Sequence, residues 1–353
     1  MKKSLKITLV TFLVILGAIL IVIIGCSVFA HSKNDKTQPT VEMSRWMNYI
    51  RDDAPLKSVA IPGAHDAGTA GISYLAETQD RDTAQLLACG TRYLDLRVAQ
   101  AGKELKIYHG PFKGVTLQQV MNAVATFLQE NPTEMLILDF QHFDGDAQQK
   151  ALETVESTLG LYNEHDDAFQ TVVLNNTDKT DVEFVDGLTL GECRGKCLIL
   201  WGGDKANEFC AEKPYVFKRN NDNGTRENSV LHSYYEGALN KKSSSRYVEK
   251  ALPHYIDLYK QQNSGLFVLQ GQLTDGMFVF GPRFREAQHV GNMNKYVESL
   301  SSSNDLEIIN IIIRDFVSPH KNALTINLNS AKGFVKSEST ADFNKLIADN
   351  LKK

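Results

Sequence analysis

Hydrophobic and polar positions divide the chain into an apolar leader, a short polar stretch and a long domain of alternating apolar runs. The first six residues, "MKKSLK", are followed almost without interruption by "ITLVTFLVILGAILIVIIGCSVFA". After the polar segment "HSKNDKTQPT", short β-rich runs recur: "SVAIP", "RYLDLRV", "LKIYHG", "EMLILDF", "KCLILW", "GLFVLQGQL" and "IINIIIRDFV". Several are nearly continuous Ile, Leu and Val, the pattern of parallel strands buried on both faces. Between the third and fourth, "TLQQVMNAVATFLQENP" carries Leu117, Val120, Val124, Phe127 and Leu128 on one helical face, with Thr116 as N-cap. Strand, helix, strand is therefore the expected repeat, and over this length it predicts a distorted TIM-type (β/α) barrel of the α/β class. "NEHDDAFQTVVLNNTDKTDVEF" and "KRNNDNGTREN" read as long insertions in an irregular second half.

A positive start before about 24 apolar residues is the pattern of an export signal or a membrane anchor. Residues 1–30 are read as this leader and 31–40 as a linker, which leaves 41–353 as one catalytic domain. Three fates of the leader stay open. Ile23, Ile24, Gly25 and Cys26 form a lipobox-like run that makes Cys26 a lipidation candidate. Val28, Phe29 and Ala30 suit ordinary signal peptidase cleavage, and an uncleaved span is long enough to cross a bilayer. Each puts the folded part outside the cytoplasm, secreted or held at the outer face of the membrane.

Composition narrows the function classes. The formal net charge is −4, which argues against a nucleic-acid partner. Of five cysteines, Cys89, Cys193, Cys197 and Cys210 fall in the domain, too few for a disulfide-built scaffold. "CRGKC" has no companion pair at zinc-ligand spacing, so no metal site is expected there. No glycine-rich phosphate loop follows a strand. A monomer is expected.

The ionisable residues fall at strand ends. His65 and Asp66 follow the first run in "IPGAHDAG", Asp95 and Arg97 lie in the second, His109 ends the third, Asp139 the fourth and Asp315 the last. In a parallel barrel these ends meet at one mouth. Each residue also has a plainer reading: Asp95 and Arg97 as a structural ion pair, His109 as a turn residue before Gly110 and Pro111, Asp139 as a helix cap. Their conjunction outweighs the separate readings. Two histidines of opposite protonation state supply a general base and a general acid, and a guanidinium between them matches two phosphoryl oxygens. Such a set breaks a phosphodiester by attack of a neighbouring hydroxyl, without a metal.

"WMNYIRDDAPLKSVAIPGAHDAG", "LLACGTRYLDLRV" and "LKIYHGPF" resemble the X-domain of the phosphatidylinositol-specific phospholipase C family in its secreted bacterial form, and "NIIIRDFV" adds to the resemblance near the end. The resemblance implies cleavage of phosphatidylinositol, or a glycosylated form of it, to diacylglycerol and inositol 1,2-cyclic phosphate. It implies that His65 takes the proton of the inositol 2-hydroxyl, that His109 protonates the leaving oxygen and that Asp315 orients His65. Asp66 would support His109 and Arg97, Arg97 would bind the phosphate, and Asp95 would organise Arg97. The implied partner is a membrane surface carrying the lipid.

Calcium-dependent members have a carboxylate where this chain has Arg97, so no cofactor and no metal are expected; Asp95 and Asp66 alone fall short of the six to eight oxygens calcium takes. For the head group the resemblance points to Gln141, where a lysine is expected, to His232 at the place of an acidic residue, and to Tyr234 as a stacking ring. Those departures leave open a phosphodiesterase acting on another head group. Two rivals are a membrane-tethered protein that only binds a lipid head group and a metal-dependent glycerophosphodiesterase, which would want a glutamate and aspartate pair in place of Arg97.

Overall fold

The computed structural model describes residues 2–33, 35–160, 172–219, 229–240, 243–274 and 281–352. Parts of both stretches read as insertions, and the segment 275–280, lie outside the described residues. The apolar leader forms one helix, α1 (Lys2–Ser32), whose side chains are exposed over most of the apolar run.

Among the described residues ten strands follow: β1 (Ile61–Ala64), β2 (Tyr93–Ala101), β3 (Glu104–His109), β4 (Phe112–Thr116), β5 (Leu136–Asp144), β6 (Cys197–Trp201), β7 (Val216–Lys218), β8 (Leu231–Ser233), β9 (Leu266–Gln270) and β10 (Ile311–Arg314). Eight of them form a curled parallel sheet in the order β7-β6-β5-β2-β1-β10-β9-β8. Among the described residues β7 and β8 are not paired with each other, so the expected barrel is present in an open, distorted form. The strands that read as apolar runs have no exposed residue in their central positions, as strands covered on both faces require. The three-residue strands β7 and β8 are too short to register as runs.

One expectation is corrected. "LKIYHG" reads as a barrel strand parallel to the rest, but β3 is antiparallel to β2, with Val98 opposite Ile107 and Ala101 opposite Glu104, and β4 continues the hairpin. The reason is chain length. A parallel crossover needs a dozen or more residues, whereas only Gly102 and Lys103 separate β2 from β3, and Gly102 takes the left-handed conformation (φ 64°) that a tight turn uses.

Local chemistry fixes the frame around the sheet. The helix Leu117–Glu130 starts at a capping box in which Thr116 accepts from the Gln119 amide and Gln119 returns the bond, and its predicted apolar face is buried. Gly63 in β1 has no room for a side chain: a Cβ there would lie 2.7 Å from Ile313 and 3.0 Å from Tyr93. Close approach of β1 to β10 follows. Arg92, wholly buried at the start of β2, pairs with Glu134 at 2.7 Å and donates to three backbone carbonyls, which compensates the charge taken out of water. The polar stretch after α1 is tied down through its backbone, since Arg81 donates to the carbonyls of Asp35 (3.1 Å) and Thr37 (2.8 Å). The four domain cysteines are free thiols, three of them buried.

Candidate active site

His65 and Asp66 leave the end of β1 together. Asp66 holds a left-handed conformation (φ 46°), which turns the chain sharply, and its amide donates to Asp95 Oδ2 at 3.2 Å. The His65 backbone is clamped as well. Gln79 donates to the carbonyls of both His65 and Arg314 at 2.8 Å and accepts from the Val317 amide, bridging the ends of β1 and β10.

From β10 the next residue, Asp315, reaches His65, with 2.8 Å between Nδ1 and Oδ1. That contact leaves Nε2 facing the other groups. Arg97 Nη2 is 3.2 Å from it, Asp66 Oδ2 3.4 Å and Asp95 Oδ2 4.0 Å. The guanidinium is anchored by Asp66, which its Nε contacts, and by Asp95 at 3.5 Å. His109 enters from the other side on the hairpin: because β3 runs back toward the sheet, its last residue returns to the level of Arg97. Its Nδ1 lies 2.7 Å from the Ala76 carbonyl and 3.7 Å from Asp66. Asp66 is thus the common neighbour of both histidines and the arginine.

Electrostatics follow from this geometry. Burial alone would push His65 down, but the carboxylates of Asp66 and Asp315 outweigh it and raise its pKa to about 9. Asp66 is buried too, yet Arg97, His65 and His109 around it hold its carboxyl below the usual value.

These side chains line one cavity of about 230 Å³, shared by His65, His109, Arg97, Asp95 and Asp315. Its further wall contains Gln141, Gln270 and Gln272, with Tyr235 at the rim. Six of the seven residues expected at the mouth, all but Asp139, are therefore brought together, and Gln141 joins them. His232 and Tyr234 are instead buried in an aromatic layer with Tyr255, Tyr259 and Phe267, and the neighbouring Tyr235 is the tyrosine that reaches the cavity. Asp139 neither caps a helix nor lines the cavity. It is buried against Arg219, 2.8 Å away, and the Tyr93 hydroxyl.

Among the lining residues that escaped the reading of the sequence is a further histidine. His142 borders the cavity beside Gln141, although adjacent strand residues ordinarily point to opposite faces. A register shift explains it: Leu96 pairs with Phe140, but Arg97 pairs with His142, so Gln141 is an extra residue on β5 and both neighbours turn inward. A histidine at the end of "LILDFQH" was the available signal. Gln79 and Tyr235 had none.

The ligand atoms of His65, Asp66 and Asp95 lie within 4.8 Å of one another, a spacing compatible with a metal. The Arg97 guanidinium contacts all three side chains and supplies the positive charge at that point.

Comparison with known proteins agrees with the fold. Residues 53–201 match the family described as "Phosphatidylinositol-specific phospholipase C, X domain". The 1-phosphatidylinositol phosphodiesterase of Listeria monocytogenes is 27% identical over 81% of this chain and 86% of its own length. That of Staphylococcus aureus is 25% identical over 56% of this chain and 58% of its own. Among solved structures, the phosphatidylinositol-specific phospholipase C from Listeria monocytogenes superposes with a TM-score of 0.59 at 21% identity, covering 81% of this chain and 98% of that one. The common fold is a curled α/β half-barrel. Residues 53–201 thus match the X domain of the phosphatidylinositol-specific phospholipase C family, and most of the chain is similar to bacterial members of it.

Proposed function

We propose that the chain is a phospholipase C that cleaves phosphatidylinositol, or a glycosylated form of it, to diacylglycerol and inositol 1,2-cyclic phosphate without a metal. The observation that carries this reading is the convergence of His65, Arg97 and His109 on one cavity. With Nδ1 of His65 donating to Asp315, Nε2 is the basic nitrogen, and it takes the proton of the inositol 2-hydroxyl. The hydroxyl oxygen attacks phosphorus and closes the cyclic diester. His109, whose Nδ1 donates to the Ala76 carbonyl, gives the proton on its Nε2 to the departing glycerol oxygen, so the two imidazoles exchange protonation states over one turnover. Arg97 can only donate, and its planar fork stabilises the charge that grows on the phosphoryl oxygens. Asp66 and Asp95 hold that fork in place.

The match of residues 53–201 to the family's X domain and the phosphodiesterase activity in the names of the similar Listeria and Staphylococcus proteins support the reaction. The substrate is a membrane lipid, and the positive, apolar N-terminus supports a location on the outer side of the cell membrane. A second reading, a phosphodiesterase of another head group with a vicinal hydroxyl, is favoured by the neutral amide wall of Gln141, Gln270 and Gln272.

The test is an assay of the full chain in detergent micelles containing phosphatidylinositol and excess chelator, followed by phosphorus NMR. Cyclic inositol phosphate with full rate is expected. No turnover would leave a head-group binder, and turnover abolished by chelator would indicate a metal enzyme.

A further inference from the structure

We infer that α1 is a retained membrane anchor, and that its last turns dock on the domain so as to hold the cavity mouth against the outer leaflet. The anchor itself stands on helix packing and length, not on the reaction proposed above.

Ala30 is 5% exposed and Cys26 is half-buried, whereas the side chains described before them are nearly all exposed. Positions 26 and 30 are one helical step of four apart and so share a face. Phe29, beside them, meets the edge of Phe284 with ring centroids 6.0 Å apart. The docked turns therefore begin at Cys26. What precedes them is residues 7–25, 19 residues without a charge, which as a helix measure about 29 Å. A hydrocarbon core is about 30 Å thick. Lys2, Lys3 and Lys6 lie before this segment and favour a cytoplasmic N-terminus, which puts the domain outside. Span and docking site meet without spare residues, so the domain is held flush with the bilayer surface.

The receiving helix, Gly281–Leu300, begins at the cavity mouth. Pro282 lines the cavity, and Phe284, two residues on, receives α1. Between them Arg283 pairs with Glu77 (2.9 Å) and Asp80 (3.3 Å) and stacks over Phe316, the residue after Asp315. The anchor thus attaches to the segment that borders the reacting groups. Outside α1, the large apolar side chains exposed among the described residues are Val41 and Tyr74, and the backbone of Tyr74 lies against Gly281 at that rim. An exposed tyrosine there suits the headgroup layer.

The full chain is expressed in a bacterial host and its membranes are washed with alkaline carbonate. Intact mass of the retained protein is expected to include residues 2–25. A soluble product beginning at His31, or a diacylglyceryl-modified Cys26 as N-terminus, would overturn the anchor.

The docking is tested with Ala30→Glu and Phe284→Ala in vesicles of phosphatidylcholine and phosphatidylinositol. Both variants are expected to cleave vesicle lipid at least fivefold more slowly than wild type while hydrolysing a short-chain soluble phosphatidylinositol at the wild-type rate. Equal vesicle rates would overturn the docking. This arm rests on the proposed reaction. If the wild type fails on the soluble lipid, it is the reaction that is rejected, and the mass measurement still decides the anchor.

Discussion

Nδ1 of His65 lies 2.8 Å from Oδ1 of Asp315, a contact made across 250 positions of chain. It joins the ends of two adjacent parallel strands, β1 and β10, and its consequence is a histidine raised to about 9 by the carboxylates of Asp66 and Asp315. Only the neutral imidazole accepts a proton, so the basic limb of kcat/KM is expected to climb roughly tenfold per pH unit and to level near pH 9. Asp315→Asn removes one of the two charges and shifts that limb to lower pH. An unchanged profile would exclude Asp315 as the partner of a catalytic base.

The same shift has a stability sign. The folded value lies above the ordinary 6.5, so the protonated imidazole stabilises the fold fully below pH 6.5, and this contribution is lost as pH rises through about 9. Thermal midpoints of wild type are expected to fall across that window more than those of His65→Gln.

His109→Ala is expected to lower the rate on phosphatidylinositol by roughly 10²–10⁴-fold, the usual worth of a positioned acid. Replacing the diacylglycerol by a nitrophenol leaving group, which departs without protonation, is expected to restore most of that loss. No recovery would assign His109 a different role.

Arg97→Asp places a third carboxylate beside Asp66 and Asp95, next to His65. Metal-free activity is expected to drop by roughly 10²–10³-fold, as for loss of a preorganised charge donor. Added calcium is expected to restore part of it; full activity in chelator would contradict the phosphate role.

His142 borders the cavity on the strand beside Arg97, with which it is in register. His142→Ala is expected to raise KM about five- to tenfold, the worth of one hydrogen bond to substrate, with kcat nearly unchanged. A fall in kcat alone would move His142 into the chemistry.

Gly63→Ala is expected to destabilise the fold by about 1–3 kcal/mol in denaturant titration, because the added methyl would meet Ile313 at 2.7 Å and force β1 away from β10. As His65 follows β1, activity should fall as well.

Much of this molecule is written in local pattern. Continuous apolar runs marked β2, β5, β6, β9 and β10, because a strand covered on both faces needs no polar alternation, and Thr116 with Gln119 marked a helix start, because a cap depends on residues three apart. His65, Asp66, Asp95, Arg97, His109 and Asp315 were legible because each follows or interrupts such a run. Tertiary structure decided the rest. The β2–β3 hairpin, not a parallel strand, brings His109 to Arg97; an extra residue in β5 turns His142 inward; and the packing of Tyr234 into an aromatic layer leaves Tyr235 at the cavity. Direction, register and facing of a strand depend on what lies beside it, and a linear sequence does not carry its neighbours.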